Sequence, residues 1–108
     1  MPGENKLNIL IRVEPGSLGP DGLDHVEPFC EVGKRYYARL YTELVDWDVV
    51  PRYDKTLPEM EFTINGRPLT SQQTEKMLQL VNKDEEQIEM EVMEHLAKLL
   101  DKYLGHKY

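Results

Sequence analysis

The chain has 108 residues, 40% hydrophobic and 31% charged, with 20 acidic against 13 basic side chains and a formal charge of −7. That composition argues against disorder and fits one globular domain, large enough to bury a core without a disulfide or metal to hold it. An acidic chain repels nucleic-acid phosphates and anionic lipid headgroups, and no run of ~20 apolar residues offers a membrane span, so neither nucleic acid nor membrane is an expected partner.

Cys30 is the only cysteine, so no internal disulfide can form. The first residues lack the basic, apolar and small-residue succession of a signal peptide, and a cytoplasmic location is expected.

Leu7, Ile9, Ile11 and Val13 alternate with Asn8, Arg12 and Glu14, which predicts a strand over residues 6–14. Leu10, on the other face, predicts a central strand partly covered on both sides. Pro15, Gly16, Gly19 and Pro20 mark a loop. A helix should follow, starting near residue 22 or 28 and ending near 44. Its apolar stripe is Val26, Phe29, Cys30, Gly33, Tyr36, Tyr37, Leu40, Tyr41 and Leu44. Asp21 is placed to cap it, and Pro28 is expected at its start or in its first turns.

A second strand is expected over residues 47–53, held to an edge or bulge by Pro51. Met60, Phe62 and Ile64 alternate with Glu61 and Thr63, giving a third strand, and Asn65-Gly66 is a hairpin signal. Pro68 cuts the returning arm short. Thr70 with Gln73 forms a capping box for a helix carrying Met77, Leu78 and Val81. Asn82 and Asp84 suggest a break there, with a single bent helix as the alternative. The last helix should run from Glu85 to about Leu104 and end at Gly105. The order β-α-β-β-α-α describes an α+β domain in two layers, a sheet of three to four strands with helices packed on it. The first two strands would be parallel, joined through the first helix.

The loop over residues 14–25 is the most site-like stretch, with Ser17, Asp21, Asp24 and His25 as ligand-binding candidates. Its glycines match neither the P-loop nor the dinucleotide spacing, and Glu14, Asp21 and Asp24 would repel an anion. A rigid turn before a capped helix is the plainer expectation. A ligand here would be a cation, a neutral molecule or a protein.

Asp24 and His25 are adjacent and cannot share a helical face. With no HExxH or calcium-loop pattern, no metal and no cofactor are expected. Cys30 sits on the apolar stripe, where a thiol is inert. Lys34, Arg35 and Arg39 interleave with tyrosines, but Glu31 and Glu43 lie four residues away as ordinary helix partners. The acids from Asp84 to Glu94 read as a solvated helix face, with His95 salt-linked to Glu91.

The last helix carries two apolar stripes. Ile88, Val92, Leu96, Leu99 and Tyr103 form one, and Met93, Ala97, Leu100 and Leu104 the other. Together they cover about half the circumference, more than a helix on one sheet needs. The second stripe is therefore the interface candidate, for a protein partner or a second copy in a homodimer. These signals point first to a non-enzymatic interaction or regulatory module, and second to a small enzyme or ligand-binding protein using residues 14–25.

Overall fold

A computed structural model describes residues 6–105. It is an α+β domain in which a four-stranded sheet carries three α-helices. Strand β1 (Leu7–Val13) pairs in parallel with β2 (Val45–Pro51) and antiparallel with β3 (Met60–Ile64), which turns into the two-residue β4 (Arg67–Pro68). The strand order is β2-β1-β3-β4, so the strand with the cleanest alternation is central. Helix α1 (Gly22–Tyr37) connects the two parallel strands, and α2 (Ser71–Leu78) and α3 (Glu85–Leu104) follow the hairpin. Among the described residues no helix is long and apolar enough to cross a membrane.

The core forms on one face of the sheet. Leu7, Ile9, Ile11 and Val13 are at most 1% exposed, and they meet Val45, Trp47 and Val49 of β2 and the apolar sides of the helices. Helices α1 and α3 run antiparallel, since Phe29 meets Tyr103 while Tyr37 reaches Val92. Leu10 is half-buried on the opposite face and belongs neither to the core nor to the residues packed around it. That partial burial fits the expected central strand partly covered on both sides. Ile64 likewise lies outside the core cluster, whereas Met60 and Phe62 pack against it.

Helix α1 ends at Tyr37 instead of near Leu44. Tyr41 adopts a positive φ of 50°, which a helix cannot continue through, and the Leu40 carbonyl accepts from Trp47 Nε1 at 2.8 Å. The stripe residues Leu40, Tyr41 and Leu44 still pack on the core, but from a turn that feeds β2 two residues earlier than expected. Pro28 sits well inside α1 on its exposed face, where water can satisfy the carbonyl that lacks its usual donor. Asp21 makes no side-chain cap bond, because its backbone (φ −97°, ψ 24°) is not in the extended form that aims a side chain at the first amides.

The capping box at Thr70 and Gln73 is present, and so is a second at Asp84 and Gln87. Between them Asn82 is left-handed (φ 58°, ψ 39°) after a 3-10 turn, so the C-terminal region is two helices.

Strand β2 is an open edge, but its donors are largely masked. Leu7 donates to the Leu44 carbonyl and Arg52 to the Val13 carbonyl, so even-numbered positions face β1 and odd-numbered amides point outward. Of those, Val45 N–H donates to Tyr41 O at 2.8 Å and Val49 N–H to Asp48 Oδ1 at 3.0 Å, while Pro51 has no N–H. Trp47 is left as the outward donor of β2 with no acceptor among the described residues. An edge so blunted is a poor template for pairing with another strand.

Candidate functional site

The strand–loop–helix after β1 folds as a 3-10 turn, Pro15–Leu18, that buries Leu18 and leads into α1. Gly22 makes this possible: a Cβ there would lie 1.7 Å from the Pro15 carbonyl oxygen. The glycine serves the loop's packing against itself, not the approach of a phosphate. A hollow of about 580 Å³ opens beside the turn, at the C-terminal ends of the two parallel strands, where Ser17 and Leu23 face Tyr53 and Arg52.

Of the four ligand candidates, the hollow gathers only Ser17. Asp21, Asp24 and His25 are exposed outside it, and the His25 ring lies edge-on to Tyr103 at 6.1 Å. Arg52 is already engaged, donating to the Leu57 and Lys55 carbonyls and to Glu14 Oε1 at 3.3 Å. It ties the β2–β3 loop to the end of β1. Tyr53 OH donates to Glu27 at 2.9 Å, and that bond holds the phenol above its ordinary pKa. Among the described residues no three His, Cys, Asp or Glu side chains gather as a metal site.

Cys30 is buried, and its thiol is pushed up to about 12 by loss of solvent, with Asp48, Glu27 and Glu31 adding to the effect. The tyrosines join α1 and the turn after it to α3. Tyr37 OH donates to the Val92 carbonyl at 2.7 Å, Tyr41 OH to Glu91 Oε1 at 2.6 Å, and Tyr36 OH bonds His95 Nδ1. His95 therefore has a tyrosine partner, and Glu91 takes Tyr41 and an ion pair from Lys83 at 3.8 Å. Lys34 reaches across to Asp48 of β2 at 3.7 Å.

The second stripe of α3 divides along its length. Leu100 and Leu104 are half-buried and pack against the chain's own core. The 3-10 turn after β1 contacts α3, and the N-terminal half of α1 lies beside its C-terminal half. Met93 and Ala97 stay exposed. The wide apolar face is thus internal at its C-terminal end and open toward the middle of the helix.

The open part continues onto residues that helical spacing alone did not single out. Met90 is 59% and Met93 37% exposed, and both border a groove of about 450 Å³ whose other wall is Pro58, Glu59 and Met60. Met60 belongs to β3, so only the fold could bring it to α3. The signal on α3 was present in the sequence: two methionines three residues apart, each with a glutamate four residues before it. A separate hollow of about 500 Å³ lies between the turn after α1 and the exposed Leu80, where Arg39, Thr42 and Glu43 alternate with Tyr41, Leu44 and Val81.

Comparisons with family models, curated proteins and solved structures found no match to this chain.

Proposed function

We propose that the chain is a non-enzymatic interaction module, a small accessory or regulatory subunit that acts by binding another protein. The groove between β3 and α3 carries this reading. Exposed Met90 and Met93 of α3 and half-buried Met60 of β3 bring three methionines from two elements into one apolar groove. Methionine is unbranched and polarisable, so such a surface adapts to a partner's side chains better than one built of β-branched residues. An exposed apolar patch rimmed by charge is a recurrent mark of a docking site. We assign the module to the cytoplasm, since a lone buried thiol suits a reducing compartment.

A second reading, a ligand-binding protein or small enzyme using residues 14–25, is favoured by one observation. The hollow with Ser17 lies outside the carboxyl ends of two parallel strands, where open sheets with crossover helices commonly bind ligands.

The module is tested by gentle cross-linking and recovery of the tagged chain from cells that express it natively. A companion protein recovered with wild type and lost with Met90→Ser/Met93→Ser supports the module. A companion retained by that variant, or none recovered, contradicts it.

A further inference from the structure

We infer that the groove between β3 and α3 receives a basic, apolar segment of another protein, a refinement that rests on the interaction-module reading. The residues around the methionines supply the chemistry. Positions four apart lie above one another on a helix, so Met90 stands between Glu86 and Glu94, and Met93 between Glu89 and Ala97. Glu89 and, from across the groove, Glu59 line it, with no lysine or arginine among the lining residues. Lys98 stands one turn beyond Glu94 at the edge of this strip, outside the groove lining, and Lys102 lies in the hollow between α1 and α3.

The strip from Glu86 to Ala97 is about 16 Å long, three turns of helix. That matches an amphipathic segment laying a few apolar side chains onto the methionines while its lysines or arginines meet the flanking glutamates. The acids also select against a second copy. In a symmetric contact the strip would meet itself, setting Glu86, Glu89 and Glu94 against their own images on two chains of −7 each. A basic partner turns the same residues into attraction and faster encounter.

The experiment uses isotope-labelled full-length chain and three synthetic peptides of equal length: an amphipathic leucine–lysine peptide, its leucine–glutamate counterpart, and a serine–lysine peptide. Binding is followed by NMR amide shifts. The leucine–lysine peptide should bind saturably, shift the signals of Met60, Glu89, Met90 and Met93, and lose at least about tenfold in affinity to Met90→Ser/Met93→Ser. The other two should bind far more weakly. Equal binding of the leucine–glutamate peptide at the groove would overturn the basic partner and leave the docking surface standing. Shifts from the leucine–lysine peptide confined to another surface would overturn the inference alone. No shift at the groove from any peptide would overturn both it and the module. A dimer by light scattering that the double substitution dissociates would assign the groove to a second copy and overturn the inference.

Discussion

The Tyr37 hydroxyl donates to the Val92 carbonyl at 2.7 Å, while the same ring stacks on Trp47 at a centroid distance of 5.1 Å. One fully buried side chain thus ties α1 to α3 and both to the edge strand. Burial holds its phenol well above the usual tyrosine range, which favours the protonated, donating form. Tyr37→Phe keeps the stacking and removes one buried hydrogen bond. Chemical denaturation should show a loss of about 1–2 kcal/mol with an unchanged m-value. An unchanged midpoint would mean that the helices are held by apolar packing alone.

Cys30 should be inert and should make the fold sensitive to alkali. Its thiol is pushed from 9.0 up to about 12, chiefly by burial, and the Tyr41 phenol from 10.0 up to about 12 by burial and by its bond to Glu91. Both groups keep protons in the folded chain that the unfolded chain releases. The stability they contribute is whole below about pH 9 and is lost as pH rises toward 12. A single such group tilts the stability curve by at most about 1.4 kcal/mol per pH unit. Denaturation from pH 7 to 11 should show a plateau and then a decline, shallower in Cys30→Ala, which should itself cost about 1–2 kcal/mol. Prompt labelling of native protein by a thiol reagent at neutral pH would contradict the burial.

Gly22 and Gly16 should behave in opposite ways. A methyl group at Gly22 meets a backbone oxygen that cannot rotate aside, whereas nothing lies within 4 Å of one at Gly16. Gly22→Ala should cost at least ~2–3 kcal/mol by overpacking, and Gly16→Ala should stay within ~0.5 kcal/mol of wild type. Similar melting temperatures for the two variants would show that the turn does not pack as described.

The hairpin turn has φ of 53° at Asn65 and 79° at Gly66, the pair of positive angles that a two-residue hairpin favours. Gly66→Val forces a β-branched residue into that region and should cost about 1–2 kcal/mol. An unshifted melting temperature would mean that the turn readily adopts another form.

Local rules made much of the architecture legible. Alternation at Leu7, Ile9, Ile11 and Val13 revealed the central strand, and side-chain caps at Thr70 and Asp84 marked where α2 and α3 begin. What local rules missed depends on tertiary contacts. The end of α1 is decided by Trp47 bonding Leu40 across the turn, and residues 38–44 carry enough apolar side chains to imitate a continuing helix. The second stripe of α3 looked uniform because a helical wheel cannot show that Leu100 and Leu104 pack inward while Met93 remains open. Met60 was readable as a strand residue, but its place opposite Met90 required the register of β3 on β1 and the position of α3 over the sheet.

Residue-resolved photo-crosslinking in cells compares the two candidate surfaces directly. A photoreactive amino acid is placed at Met93, in the methionine groove, or at Ser17, in the hollow beside the first turn, both exposed positions. Position 93 should yield a discrete protein adduct that disappears when Met90→Ser is added, and position 17 should yield none. A protein adduct from position 17 with nothing from position 93 would contradict an interaction module built on α3.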